Sequence, residues 1–231
     1  MVQKKVTRLF NDALKHYGLI ETGDKILVGL SGGKDSMALL ELLALRSRIF
    51  VPRFQVEAAF VRMTNIPYQN DEDYLVDFAS QLGIPLHITE TSFDESTDHR
   101  QTHCFLCSWY RRKKLFEVAR ERQCNKIALG HNKDDIMQTA LLNLTFQGQF
   151  TTMKPMMQMD KFPMTLIRPL CLIREQLLKE YAQERGFHQQ VRNCPFEDAS
   201  HRDDMKDIII QLEQINPEFE YSLFHAISSH K

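Results

Sequence analysis

Six residues with charge, hydroxyl groups or no side chain stand together as Ser31-Gly32-Gly33-Lys34-Asp35-Ser36. They follow the apolar run Lys25–Leu30 and precede a segment with helical periodicity. Paired glycines let the backbone turn tightly and bring its N–H groups against an anion. The amino end of the following helix adds partial positive charge and donors without intrahelical partners. Lys34 contributes a full charge, and Ser31 and Ser36 contribute hydroxyls. A group the size of pyrophosphate suits such a turn. The Walker A pattern does not fit, because Gly33-Lys34 is followed by Asp35 and Val28 stands where its first glycine belongs. The G-x-G-x-x-G pattern fails as well.

A second group, Gly130-His131-Asn132-Lys133-Asp134-Asp135, follows another short apolar run. Asp134 and Asp135 open the next helix, where acidic residues cap the chain and complement the dipole. With Asp35 they also make a set of Mg²⁺ ligands, since Mg²⁺ is usually held by one or two carboxylates plus nucleotide phosphates. His131 reads either as a hydrogen-bonded structural histidine or as a phosphate contact.

Three cysteines make a third group. Cys104-Phe105-Leu106-Cys107 lies at the start of a helix, and Cys194 follows far down the chain. The helix terminus, with Arg111 and Arg112 nearby, favours thiolates. The residues alone leave three readings open: an iron–sulfur cluster, a Zn²⁺ site completed by His103 or His201, or a persulfide relay between Cys104 or Cys107 and Cys194. Cys124 and Cys171 lack neighbours at ligand spacing and read as core residues. Trp109, Arg111, Arg112, Lys113 and Lys114, with Arg100 and Arg168 extending the patch, supply the aromatics and cations that RNA contacts use. A solvated helix face is the plainer reading of the same stretch.

Strands expected over 25–30, 54–63, 85–91, 126–129 and 165–170 alternate with helices over 36–46, 71–82, 107–123, 134–146 and 173–185. The spacing predicts an α/β fold: a parallel sheet of about five strands with helices on both faces. Ligands in such sheets sit beyond the carboxyl ends of the strands, where the chain order reverses. An amphipathic helix over 4–17 precedes the sheet. Residues 1–195 are expected to form the main domain, and 196–231 a small appendage of two helices, the second beginning near Pro217. The methionine-rich stretch 148–164 reads as an irregular insertion, either a surface loop or a flap over substrate.

The chain has 231 residues and a formal net charge of −1, so no global basic field marks a nucleic-acid binder. Five cysteines, an odd number, argue against a disulfide framework. Without an apolar stretch long enough to span a bilayer, no membrane is expected, and the chain reads as soluble and cytoplasmic.

Ser31–Ser36 is similar to the signature of the PP-loop superfamily, the N-type ATP pyrophosphatases. Gly130-His131-Asn132-Lys133-Asp134-Asp135 resembles the second motif of its tRNA-thiolating members. The likeness runs from about residue 24 to residue 195 and is greatest to the tRNA-cytidine(32) 2-sulfurtransferases. It implies an adenine nucleotide alpha-hydrolase-like fold and cleavage of ATP between the α and β phosphates. It implies that Lys34, Asp35, Ser36 and Asp135 are catalytic, that Ser31–Ser36, Gly130 and His131 hold ATP, and that Asp35, Asp134 and Asp135 hold Mg²⁺. Cys104, Cys107 and Cys194 match the three cluster cysteines of the thiolases, which implies a [4Fe–4S] cluster with one iron open to hydrosulfide. The implied partners are tRNA and a sulfur donor such as a cysteine desulfurase, and a homodimer is compatible with the likeness. The chain is short, and the segment after Cys194 departs from the family's usual one. Another adenylating enzyme of the superfamily, or a nucleotide-binding or redox-sensing module without catalysis, are the competing readings.

Overall fold

The structure is a computed structural model that describes residues 1–66, 71–93, 103–159, 162–188 and 201–229. Six strands form one sheet: β1 (Lys25–Gly29), β2 (Gln55–Met63), β3 (Leu86–Thr91), β4 (Lys126–Ala128), β5 (Met156–Gln158) and β6 (Thr165–Ile167). Their order is β3-β2-β1-β4-β6-β5, and every pairing is parallel except that of β5 with β6. The helices are α1 (Val2–His16), α2 (Lys34–Ser47), α3 (Glu72–Leu82), α4 (His103–Glu121), α5 (Lys133–Gln147), α6 (Glu175–Glu184), α7 (Arg202–Ile215) and α8 (Phe219–Ser229).

Alternation along the strands builds two core layers. Ile26 and Val28 of β1 join Val56, Ala58 and Phe60 of β2 on one face, under α1, α2, α3 and α6. Leu27, Ala59, Ile127 and Leu166 point to the other face, where α4 covers them with Phe116 and Ala119. Helix α2 is buried at every residue from Ser36 to Ala44, as its all-round apolar sequence requires. In that dry setting Glu41, only 3% exposed, accepts a hydrogen bond from Tyr181 Oη at 2.6 Å and two from Arg185 Nε and Nη2. This ties α2 to α6. Helices α7 and α8 lie on α5 through Met137, Ile209 and Leu223. Among the described residues no helix is long and apolar enough to cross a membrane.

Two features depart from the sequence reading. The expected five strands are six, because the stretch taken as an irregular insertion contributes β5, an antiparallel edge strand registered Met157 to Leu166. Its three residues alternate exposed and half-buried, too short a pattern to stand out, and its pairing is set by β6. Helix α4 begins at His103, not at Cys107, so both cysteines lie in its first turns.

The sheet order reverses at β1: β2 lies on one side of it and β4 on the other. The two turns leaving β1 and β4 therefore meet at a switch point. They meet closely, because a Cβ on Gly130 would stand 3.0 Å from Ser36 N and 3.1 Å from the Asp35 carbonyl carbon. Only a residue without a side chain lets the second turn press on the backbone of the first.

At the amino edge of the sheet Glu57 on β2 is 7% exposed and accepts from Lys25, His87 and Arg122 at 2.7, 2.6 and 3.0 Å. Burial by itself would raise its carboxyl, but the hydrogen bonds from Arg122, Lys25 and His87 outweigh burial and bring it down to about 2. A depressed carboxyl stabilises the fold above the ordinary carboxylate range and ceases to do so in acid. With solvent screening of the exposed partners allowed for, Glu57→Gln is expected to cost about 2 kcal/mol at neutral pH. In urea titrations that deficit is full above pH 4.5 and shrinks as the pH falls toward 2. A pH-independent deficit would contradict this. Gly130→Ala is expected to lower stability by about 1–3 kcal/mol through overpacking. It also weakens binding of inorganic pyrophosphate in calorimetric titration, because the Asp35–Ser36 backbone must retreat.

Candidate active site

A cleft of about 340 Å³ opens at the switch point. The turn after β1 supplies Ser31, Gly33, Asp35 and Ser36; the turn after β4 supplies Leu129, Gly130 and His131. Ala59, Phe60 and Val61 of β2 form an apolar wall, and Arg111 and Leu115 close the cleft from α4.

Gly32 adopts φ +79°, the left-handed conformation that turns the chain from β1 into α2. Gly33 is the N-cap of α2 and donates no side-chain cap, so the first amides of the helix remain available to an anion. The Ser36 hydroxyl bonds Gly33 O at 2.9 Å and accepts from Ser31 N at 3.1 Å. Ser31 Oγ lies 3.2 Å from Ser36 Oγ. These contacts fix the loop before any ligand arrives. Lys34 Nζ rests between Asp35 Oδ2 at 3.1 Å and Glu175 Oε1 at 3.2 Å.

The other carboxylates divide by surroundings. Asp35 Oδ1 is buried without a hydrogen-bond partner. Burial, opposed by Lys34, raises the Asp35 carboxyl above its ordinary range. Asp135 forms a capping box with Asn132, accepting Asn132 N at 2.9 Å while Asn132 Oδ1 accepts Asp135 N at 3.1 Å. Its carboxyl is also raised, first by burial. Asn132 Nδ2 reaches Asp35 Oδ2 at 3.5 Å, which brings the two turns together. A buried orphan oxygen and two carboxylates held above their usual range suit a divalent cation, which would relieve both. Asp134, by contrast, has both oxygens engaged: Oδ1 with Arg174 at 3.1 Å and Oδ2 with the Glu175 backbone N–H at 2.6 Å.

His131 is half-buried at the mouth of the second turn. Arg168, 6% exposed and anchored to Lys154 O at 2.6 Å, directs Nε to His131 Nδ1 at 3.3 Å. An arginine can only donate, so Nδ1 is the acceptor and the proton of the neutral ring sits on Nε2. Burial, reinforced by Arg168, pushes the imidazole down to about 3 and keeps it neutral at working pH.

Cys104 is exposed and Cys107 half-buried, the latter packed beside Met63, Phe93 and Leu106 at the carboxyl edge of the sheet. At helical spacing Cys104, Cys107, Arg111 and Leu115 share one stripe of α4. Arg111 and Leu115 line the cleft, and Cys107 stands one turn, about 6 Å, before Arg111 along the axis. The cysteine pair is therefore aimed along the same stripe as the cleft. Among the described residues no three His, Cys, Asp or Glu side chains gather as a metal site. Cys194 and Arg100 lie outside the described residues. His201 bonds Asp204 at 2.8 Å and stacks on Phe146.

The expected RNA residues separate. Arg111 lines the cleft, whereas Trp109 is 45% exposed with Lys113 Nζ 5.5 Å from its ring centroid. Arg112 bonds Ser108 and Lys114 pairs with Glu117. Sequence reasoning missed Asn132, Arg174 and Glu175, and gave Arg168 no role beyond a patch. Glu175 reaches the loop from far down the chain, and no local pattern marks it.

A family model described as a PP-loop domain matches residues 1–214. The tRNA-cytidine(32) 2-sulfurtransferase of Burkholderia multivorans is 36% identical over 98% of this chain and 69% of its own length. That of Chromohalobacter salexigens is 33% identical over 99% of this chain and 81% of its own. Among solved structures, the U34-tRNA thiolase of Methanococcus maripaludis with its [4Fe–4S] cluster superposes with a TM-score of 0.80 at 27% identity, covering 98% of this chain and 78% of that one. The ammonia-dependent NAD synthetase of Campylobacter jejuni, at 14% identity and a TM-score of 0.54, shares the fold alone. With the loop, the switch-point cleft and the cysteine stripe all in place, the chain belongs to the PP-loop family and, within it, to the tRNA-cytidine(32) 2-sulfurtransferases.

Proposed function

We propose that this protein is an ATP-dependent tRNA sulfurtransferase that activates the C2 oxygen of a cytidine with AMP and then replaces that oxygen with sulfur. The observation that carries the reading is the uncapped amino end of α2 behind Ser31–Ser36, set against Gly130 in the switch-point cleft. It accounts for a polyphosphate held by backbone amides and Lys34, with the α phosphorus turned to the acceptor.

The C2 oxygen of cytosine is a poor leaving group. Its attack on the α phosphorus expels pyrophosphate and joins AMP to the ring. This step asks for positioning and charge neutralisation more than covalent help. Lys34, the amides of residues 32–36 and the Ser31 and Ser36 hydroxyls take the charge that builds on the departing pyrophosphate. Asp35 and Asp135 are the ligands for Mg²⁺, which when bound would neutralise the phosphates. Asp134 is assigned to fastening α6 and Arg174 instead. The neutral His131 donates from Nε2 to a phosphate oxygen. The apolar wall of Ala59 and Val61 takes the adenine.

Sulfur must then reach C2 as AMP departs. Cys104 and Cys107 stand at the start of α4, on the stripe that leads to the cleft, and with Cys194 they are the three ligands of a [4Fe–4S] cluster. When bound, that cluster would supply reactive sulfide. A cysteine desulfurase, whose persulfide sulfur becomes sulfide by two-electron reduction with a thiol reductant, is the class of donor that replenishes it. The exposed face of α4, with Phe105, Trp109, Arg112 and Lys113, is the RNA-facing surface, where rings stack on bases and cations meet phosphates.

The test is nucleoside analysis of total tRNA from cells lacking the gene and carrying plasmid copies. The parent restores 2-thiocytidine, and Lys34→Ala lowers its rate of formation by about 100-fold or more, the scale of losing a positioned donor. Unaltered 2-thiocytidine without the gene, or full restoration by Lys34→Ala, would contradict the proposal.

A further inference from the structure

The phosphate loop carries one full positive charge, Lys34, for a ligand that brings several negative ones. A second set of cations stands over it from the carboxyl-terminal helices. Glu175, at the first position of α6, holds three ammonium groups on one carboxylate. Lys34 and Lys179 meet Oε1 at 3.2 Å each, and Lys206 of α7 meets Oε2 at 3.1 Å. Lys206 and the loop lysine thus occupy the two oxygens of a single side chain. One turn earlier on the same face of α7, Arg202 Nη1 lies 3.7 Å from Asp135 Oδ1. The start of α6 is anchored, because the Glu175 backbone N–H is bonded to Asp134 Oδ2 on α5 at 2.6 Å.

We infer that α7 completes the polyphosphate site: Lys206 is a further ligand of the β and γ phosphates, and Glu175 is the positioning residue that keeps it beside Lys34. Lys206 is 42% exposed on a long stem, and ion pairs at such exposure are worth about 0–1 kcal/mol, so a polyphosphate displaces the carboxylate readily. Arg202 is held on Asp135 in the same way and flanks the approach. The inference rests on the proposed reading of the loop as an ATP site and extends it to a helix that the loop motif does not include.

Calorimetric titration of the full chain with inorganic pyrophosphate and with AMP tests it, using Lys206→Ala, Lys206→Arg and Lys34→Ala. Pyrophosphate affinity is expected to fall about tenfold in Lys206→Ala, the scale of one charge-assisted hydrogen bond. Lys206→Arg recovers most of it. AMP affinity is unchanged in both, which a general loosening of the fold would not produce. The slope of log affinity against log salt should also become shallower in Lys206→Ala. If Lys206→Ala binds pyrophosphate within twofold of the parent while Lys34→Ala loses it, Lys206 is no phosphate ligand, the inference is overturned and the loop reading stands. If neither variant changes pyrophosphate binding, the loop reading itself is overturned.

Discussion

The structure depends on one close approach: the turn after β4 presses Gly130 against the backbone of Asp35 and Ser36, with 3.0 Å left where a side chain would begin. Two crossover turns are thereby joined at the switch point of the sheet. The amino end of α2 gains a second wall, Asn132 comes within reach of Asp35, and the apolar surface of β2 becomes the back of a cleft rather than an open edge. A side chain at position 130 would press the two turns apart and displace the Asp35–Ser36 backbone.

Around that contact the charges are arranged so that they wait for a ligand. Burial raises the Asp35 and Asp135 carboxyls above their ordinary range, while at Glu175 burial is outweighed by Lys206 and Lys34, which draw it down to about 2. The first two gain from a cation and the last already has its partners. Opposite responses in neighbouring carboxylates divide their roles by environment alone. His131 is kept neutral by burial and by Arg168, and so can donate to an anion without adding a charge that would repel the lysines.

Much of this was legible in the sequence where the signal is local. Ser31–Ser36 sits between an apolar run and a helix, and each residue type has a task that a plain turn would not require. The parallel sheet followed from strands spaced by helices. The edge strand β5 did not, because Met156–Gln158 has no amphipathic alternation long enough to see and owes its conformation to β6. Asn132, Glu175 and Arg168 were not foreseen in their roles, since each is brought to its partner by tertiary packing: Asn132 to Asp35 across 97 residues, Arg168 to His131 across 37 and Glu175 to Lys34 across 141. The spacing of Cys104 and Cys107 was visible, but their sharing of a stripe with Arg111 became clear only once α4 was seen to begin at His103.

The cleft decides which bond of ATP is exposed to attack. A loop that seats the terminal phosphates on backbone amides and turns the α phosphorus outward must cut between α and β. Phosphorus NMR of the products formed with ATP and unmodified substrate tRNA reads this directly. AMP and pyrophosphate in equal amounts are the expected products. Formation of ADP and inorganic phosphate would contradict it.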